Sequence, residues 1–212
     1  MTQEIYDRTY FEDGLASGKS LYNGFKWIPE RSFQEAMAII DAFSLTRDDK
    51  ILEFGCAKGF LVKALRYLGR DAYGCDVSRY AICTADSDVR QYLKLCTPFN
   101  PFPYVPDEFD LIVAKDVLEH LEVSQLDMLL DKFRPSCEKL FVAVPIGDGT
   151  KFIVPEYNYD VTHKIAESTQ WWIKKFQEHG YEILSYKPYM PGMKNNWTHY
   201  ANGNCFFSLS SE

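Results

Sequence analysis

The stretch from Lys50 to Gly59 limits what this chain can fold into more than any other part of it. A short apolar run, Ile51 to Phe54, contains one acid, Glu53, and leads directly into Gly55. Such a run predicts a buried strand, and glycine suits the turn that follows because a residue without Cβ tolerates positive φ and lets a ligand approach closely. Apolar residues then recur at helical spacing up to a glycine stop, at Leu61, Ala64, Leu65, Leu68 and Gly69. A strand, a tight turn and a helix N-terminus in this order can cradle a ligand.

One further acid belongs to this unit. Asp76 ends the next apolar run, Ala72 to Cys75, and lies 17 residues beyond Gly59. A carboxylate at about that distance, at the end of the second strand of a βαβ unit, is placed to accept hydrogen bonds from both hydroxyls of a ribose. The spacing therefore predicts a cofactor that contains a nucleoside.

The glycine pattern distinguishes between two kinds of nucleoside cofactor. A dinucleotide site has the pattern G-x-G-x-x-G, whose backbone amides reach a pyrophosphate at the helix N-terminus. Here the pattern is E-x-G-x-x-x-G, with Ala57 in the place of the second glycine and Glu53 two residues before the first. The carboxylate of Glu53 would repel a pyrophosphate, whereas it suits an α-ammonium or sulfonium group. The pattern therefore disfavours a nicotinamide dinucleotide.

The segment Glu53-Phe54-Gly55-Cys56-Ala57-Lys58-Gly59, together with Asp76, resembles the cofactor motifs of class I S-adenosylmethionine-dependent methyltransferases. The resemblance implies a Rossmann-like fold of seven strands and S-adenosyl-L-methionine as the cofactor. Many relatives place an Asp just after the third strand, where it binds the adenine amino group. This chain has Leu95-Cys96-Thr97 there, so backbone groups are expected to recognise adenine. The cofactor-binding residues that we expect are Glu53, Gly55, Cys56, Ala57, Gly59, Asp76, Val77, Cys96 and Lys115.

A second segment resembles the same family. The run Phe109-Asp110-Leu111-Ile112-Val113, followed by Asp116-Val117-Leu118-Glu119-His120-Leu121, is similar to the fourth motif of small-molecule methyltransferases. In an open α/β sheet, ligands bind beyond the carboxyl ends of the strands. Residues 115 to 120 are therefore expected to border the transferred methyl group.

Strand and helix patterns alternate along the chain. Ser32 and Glu35 form a predicted capping box for a first helix, and the alternating run Val89–Leu95 predicts a third strand. The last two strands, at 181–187 and 205–209, have no helix between them, so the final strand must run antiparallel to its neighbour. The fold class that we predict is α/β: a single-domain Rossmann-like doubly wound sheet, mostly parallel with an antiparallel C-terminal strand.

The predicted domain spans residues 32–212 and is preceded by an irregular N-terminal arm at residues 1–31. Aromatic residues occur along this arm without a sustained period, at Tyr6, Tyr10, Phe11, Tyr22, Phe25 and Trp27. The arm either covers one edge of the core or forms a lid across the cofactor pocket, where aromatic groups exclude water and stack on adenine or substrate. The resemblance favours the lid.

Three residues are candidates for catalysis. His163 lies in the loop after the fifth predicted strand, and Asp160 is close enough in sequence to orient its imidazole. His120 lies at the rim that faces the methyl group. A base matters only where the acceptor must lose a proton, and it then typically adds about 10² to 10⁴ in rate. The structural alternatives are that Asp160 and His163 hold their own loop together and that His120 caps or packs a helix.

Composition narrows the remaining classes. A formal charge of −7 on 212 residues disfavours a protein that grips nucleic acid, since such proteins usually carry a basic face. The six cysteines show no C-x-x-C pair and predict buried, reduced thiols, so no metal site is expected. No apolar run approaches a membrane span, and the polar N-terminus does not resemble a signal peptide. These features predict a cytoplasmic protein that acts on a small molecule, without nucleic acid or membrane.

Three functions are weighed on this basis. The first is transfer of a methyl group from S-adenosylmethionine to oxygen or nitrogen of a small, sugar-like or natural-product acceptor. The second is a catalytically silent protein that binds S-adenosylmethionine as a regulatory or partner subunit. The third, a nicotinamide-dependent oxidoreductase, is disfavoured by Ala57 in the glycine pattern.

Overall fold

A seven-stranded sheet forms the centre of the molecule, in the order β3-β2-β1-β4-β5-β7-β6. The computed structural model describes residues 4–211, so residues 1–3 of the predicted arm and residue 212 of the predicted domain lie outside the described residues. Strands β1 to β5 pair in parallel, and β7 runs antiparallel to both β5 and β6. This confirms the predicted fold class. The strands are β1 (Lys50–Phe54), β2 (Asp71–Asp76), β3 (Leu93–Leu95), β4 (Phe109–Lys115), β5 (Cys137–Pro145), β6 (Glu182–Lys187) and β7 (Asn204–Ser210).

Helices cover both faces of the sheet. The α-helices of the described residues are α1 (Arg8–Glu12), α2 (Gly14–Ser17), α3 (Pro29–Phe43), α4 (Phe60–Tyr67), α5 (Arg79–Thr84), α6 (Ser87–Arg90), α7 (Val123–Phe133) and α8 (Thr169–Glu178). None of the helices in this part of the chain is long and apolar enough to cross a bilayer.

The central strands are apolar on both sides because each side meets a layer of helices. Ile51 of β1 packs into the cluster formed with α3 and α4, and its neighbour Leu52 packs into the cluster formed with α7 and α8. Both side chains are fully buried. Successive strand residues point to opposite faces, so a parallel strand between two helix layers reads as a continuous apolar run. The carboxyl ends of β1, β2 and β4 meet at one edge of this sheet, where ligands bind in open α/β folds.

The predicted third strand is shorter than its pattern. Only Leu93–Leu95 forms β3, and the first part of the predicted strand Val89–Leu95 lies in and after helix α6. The amides of Val89 and Arg90 donate to the carbonyl oxygen of Asp86, at 3.1 and 3.0 Å. Val89 is buried, as the alternating pattern predicts, but it lies in a helical turn and not in a strand.

The first long helix also begins earlier than predicted. Helix α3 starts at Pro29, which suits a first helical position because its missing N–H would have no partner there. Ser32 and Glu35 therefore lie inside the helix and do not form a capping box. Glu35 instead accepts a hydrogen bond from Nε of Arg31 at 2.9 Å.

The cysteines match the prediction of buried, reduced thiols, except that one of them is exposed. No disulfide joins any pair of them within residues 4–211, and five of the six are buried. Cys83 is the exception, because its side chain is exposed on α5.

Candidate functional site

The turn after β1 places several residues in the left-handed region of backbone conformation. Gly55, Ala57 and Gly59 have φ angles of 79°, 48° and 71°. A Cβ on Gly55 would lie 2.4 Å from Cγ2 of Val117, so only glycine fits at that position. Ala57 adopts the same region although it carries a side chain, at a cost of about 1–2 kcal/mol. Backbone strain of this kind is characteristic of ligand sites.

Asp76 joins the end of β2 to this turn. Its carboxylate accepts hydrogen bonds from the amides of Ala57, at 2.8 Å, and Ser78, at 2.6 Å. Burial raises the pKa of Asp76, and the backbone amides act against that rise. A carboxylate has about four lone-pair positions, so two amides leave acceptor capacity for a ligand. The carboxylate is therefore fixed in position and still able to bind hydroxyl groups.

A cleft opens beside the turn, and its wall combines apolar and aromatic side chains with a few polar groups. A concave site of this composition is typical of small-molecule binding. Of the residues predicted to bind the cofactor, five line this cleft, namely Gly55, Ala57, Asp76, Val77 and Cys96. Cys96 is held at the wall by its amide, which donates to the carbonyl oxygen of Asp76 at 2.8 Å.

The other four predicted cofactor residues lie behind the cleft wall. The thiol of Cys56 packs under Gly74, where an added Cβ would lie 2.8 Å from Sγ. Gly59 precedes α4, and a Cβ there would lie 2.9 Å from both methyl groups of Leu93. These two residues shape the turn. The remaining two, Glu53 and Lys115, belong to a buried group of charges.

Glu53 is a buried acid with an incomplete set of partners. Its side chain is 7% exposed, and Oε2 has no hydrogen-bond partner among the described residues. Burial raises the pKa of Glu53 to about 8, and the nearby Lys115 opposes this rise. The ammonium group of Lys115 lies 3.2 Å from Asp116 and 3.8 Å from Glu35. A positively charged ligand group near the turn would favour the ionised form of Glu53.

The described part of the predicted N-terminal arm, residues 4–31, is called the N-terminal segment below, and it covers one side of the cleft. It contains the short helices α1 and α2, so it is not wholly irregular as predicted. Aromatic side chains from it line the cleft, at Tyr6, Tyr10, Phe11 and Tyr22. Lys58 of the glycine turn binds the segment directly, through the carboxylate of Glu12 at 2.6 Å and the carbonyl oxygen of Phe25 at 2.9 Å.

The two candidate histidines lie side by side, with ring centroids 4.5 Å apart. His120 lines the cleft, whereas His163 is not among the residues of the cleft wall. Burial lowers the pKa of both imidazoles. Both rings are therefore neutral at ordinary pH.

Asp160 contacts different partners from those predicted. It was expected to orient His163, but the Nδ1 atom of that ring lies 2.7 Å from the carbonyl oxygen of Tyr157. The Asp160 carboxylate instead accepts from the hydroxyls of Tyr10, at 2.9 Å, and Thr162, at 2.5 Å. The Thr162 oxygen lies 2.7 Å from Nδ1 of His120. Asp160 therefore acts on His120, through a threonine that sequence reasoning did not single out.

Two comparisons of sequence bear on the family. A family model described as a methyltransferase domain matches residues 29–187. A search of curated proteins gave no significant match.

Solved structures with the same fold come from distant relatives. A phosphoethanolamine N-methyltransferase 2 of Haemonchus contortus, in complex with S-adenosyl-L-methionine, has a TM-score of 0.69 at 14% identity and covers 98% of this chain and 59% of that chain. A methyltransferase in complex with the Haloferax volcanii Trm112 methyltransferase activator has a TM-score of 0.67 at 13% identity, and the match covers 86% of this chain and 90% of that chain. An S-adenosylmethionine-dependent methyltransferase of Mesorhizobium loti has a TM-score of 0.62 at 12% identity, and the match covers 82% of this chain and 97% of that chain.

Proposed function

The chain belongs to the methyltransferase domain family, and from that premise we propose that it transfers a methyl group from S-adenosyl-L-methionine to oxygen or nitrogen of a small-molecule acceptor. The observation that carries this proposal is the cleft between the glycine turn and Asp76. It has a fixed carboxylate at the ribose position and a backbone that comes close to the ligand at Gly55.

The chemistry of the donor set fits this cofactor. Asp76 is placed to accept hydrogen bonds from the ribose hydroxyls, and Cys96 and Val77 contribute to the wall where adenine is expected. Glu53 has an unpartnered carboxylate oxygen behind the turn, which suits a cationic amino acid end. No pyrophosphate is needed to explain any of these groups.

S-adenosylmethionine, when bound, supplies an electrophilic methyl group on a sulfonium. The protein then contributes mainly by holding the acceptor in line with that methyl group, and positioning of this kind can supply roughly 7–11 kcal/mol. The aromatic side chains of the N-terminal segment line the cleft. In this proposal they exclude water from it, which is the role of a lid.

His120 is the residue that we propose to activate the acceptor. It lies on the cleft wall, and its Nδ1 atom is held by Thr162 and, through it, by Asp160. Its other nitrogen, Nε2, is then available toward the acceptor. His163 packs against His120, with ring centroids 4.5 Å apart, and does not line the cleft.

Two measurements test this function. Isothermal titration calorimetry should give one binding event each for S-adenosylmethionine and for S-adenosylhomocysteine, its demethylated product. A screen with isotope-labelled cofactor should then detect transfer to members of a panel of hydroxyl and amine acceptors. For an acceptor found in this way, His120→Gln should lower kcat by about 10² to 10⁴. His199→Gln, at an exposed histidine outside the cleft, is the matched control and should leave kcat unchanged.

Each result separates the functions that were weighed. Binding without transfer to any acceptor would favour the silent S-adenosylmethionine-binding subunit. An absence of heat with both cofactor forms would refute the proposal, and a fluorescence titration that showed NADH binding would favour an oxidoreductase.

A further inference from the structure

Three side chains that commonly bind metals lie together at the point where one of them, His120, borders the cleft. Glu119 and His120 are consecutive residues of a 3-10 turn after β4, and His163 comes from the loop between β5 and α8. One potential ligand atom of each lies within 4.8 Å of the other two. Small side-chain movements would bring all three atoms to a single ion.

Hydrogen bonds determine which nitrogen of each imidazole carries the hydrogen. Nδ1 of His163 lies 2.7 Å from the carbonyl oxygen of Tyr157, and because a carbonyl only accepts, Nδ1 must donate. The hydroxyl of Thr162 donates its own hydrogen to Asp160, so it must accept from Nδ1 of His120, 2.7 Å away. In each neutral ring the lone pair is therefore on Nε2. Both histidines are in the tautomer that can bind a metal through Nε2.

Glu119 provides a carboxyl group beside them. Its side chain is 1% exposed, and Oε2 has no hydrogen-bond partner among residues 4–211. A buried carboxylate oxygen without a partner costs stability, and a bound cation would offset that cost. The methyl-transfer chemistry proposed above gives this carboxylate no other role.

We propose that Glu119, His120 and His163 form a binding site for a divalent first-row transition-metal ion. Two imidazoles and one carboxylate suit Mn²⁺, Fe²⁺, Co²⁺ or Zn²⁺ better than Mg²⁺ or Ca²⁺, which prefer oxygen ligands throughout. Metal-bound histidines usually donate their other ring N–H to a carbonyl or a carboxylate network. Tyr157 and the Thr162–Asp160 pair provide such partners here.

The site also specifies a class of acceptor, an inference that rests on the proposed function. Because His120 lines the cleft, the ion would be reached from the acceptor side. The acceptor is then a hydroxyl compound, such as a catechol or a hydroxy acid, whose oxygen binds the ion and releases its proton to water. The oxygen–carbon bond forms as the sulfur–carbon bond breaks, which gives a methyl ether and the neutral thioether. His120 then activates the acceptor as a ligand of the ion, which specifies the role proposed for it above.

Titration of the chelator-treated protein with Co²⁺ tests the site directly. Calorimetry should give one Co²⁺ per chain, and visible absorption should show the d–d bands of nitrogen and oxygen coordination. Thr162→Val, which removes an outer hydrogen-bond partner, should weaken binding by about 10- to 100-fold. Glu119→Gln and His163→Ala, which remove ligands, should weaken it by more. His199→Ala, at an exposed histidine, is the matched control and should bind Co²⁺ as the parent protein does.

Binding of S-adenosylhomocysteine and the thermal unfolding curve show whether each variant is folded. A parent protein that binds S-adenosylhomocysteine but not Co²⁺ would overturn the metal site, as would unchanged Co²⁺ affinity in Glu119→Gln. A parent protein that binds Co²⁺ but not S-adenosylhomocysteine would keep the metal site and refute the proposed function instead. Transfer to hydroxyl acceptors should stop after chelation and return with added Co²⁺, and transfer that persists without the ion would overturn the acceptor class.

Discussion

The replacement Asp76→Asn offers the most direct test of the cofactor site. The carboxylate accepts from the amides of Ala57 and Ser78, and we propose that it also accepts from two ribose hydroxyls. The amide side chain keeps one acceptor oxygen and loses the charge. A hydrogen bond to a charged group is worth about 1.5–3 kcal/mol. Loss of one such bond should therefore weaken S-adenosylhomocysteine binding by about 10- to 150-fold.

Isothermal titration calorimetry measures this loss, and Asp71→Asn provides the matched control. Asp71 begins the same strand, pairs with Arg66 at 3.2 Å and lies at the far end from the cleft. Its replacement should leave the affinity unchanged. Thermal unfolding should show that both variants fold, because Asp76→Asn can still accept one of the two amide bonds. An affinity of Asp76→Asn within twofold of the parent protein would refute the assignment of this carboxylate to the ribose.

Three further replacements test other parts of the site. Gly55→Ala puts a Cβ 2.4 Å from Val117, so it should cost about 1–3 kcal/mol of stability through overpacking and weaken S-adenosylhomocysteine binding in calorimetry. The control Gly18→Ala, at a residue with positive φ but open space around it, should lower stability without changing the affinity. Equal effects of the two variants on affinity would contradict this prediction. The pKa of Glu53 is raised from its ordinary value of 4.5 to about 8 in the folded protein, so the free energy of unfolding should fall as the pH rises from 4.5 through about 8. Binding of a cationic ligand near neutral pH should release a proton from this carboxyl group. Calorimetry in buffers of different ionisation enthalpy measures that proton, which Glu53→Gln should abolish; identical heats in all buffers would count against the model. Lys58→Met removes the hydrogen bonds to Glu12 and Phe25 that hold the N-terminal segment, worth roughly 1.5–3 kcal/mol. It should therefore speed the dissociation of S-adenosylhomocysteine, measured by stopped-flow fluorescence. An unchanged rate would show that the segment does not retain the ligand.

The parts of the fold that the sequence predicted well are those set by local pattern. The turn at Gly55 and the acid at Asp76 were found because a strand, a glycine turn and a second strand follow one another within a few dozen residues. The antiparallel C-terminal strand followed from the lack of a crossover helix. The predicted strand at Val89 failed because burial on a helical turn and burial on a strand leave the same short apolar signal.

The contacts around His120 were less accessible to sequence reasoning. The hydrogen bond between Thr162 and His120 spans 42 positions, and that between Tyr10 and Asp160 spans 150. Both connect segments without regular periodicity, so no spacing rule brings them together. The sequence predicted His120, His163 and Asp160 as candidates, but only the tertiary structure shows which side chains each of them contacts.

One chain of contacts links the N-terminal segment to both halves of the site. Glu12, at the end of α1, is held by Lys58 of the cofactor turn, at 2.6 Å. Tyr10, in the same helix, donates to Asp160 at 2.9 Å, and that carboxylate acts on His120 through a threonine hydroxyl. A displacement of α1 as a unit would lengthen both hydrogen bonds, because Glu12 and Tyr10 belong to the same short helix. Tyr10 and Thr162 share the carboxylate of Asp160, so α1 contacts the pair of residues that holds His120. The dissociation rate of Lys58→Met tests the anchor at Glu12.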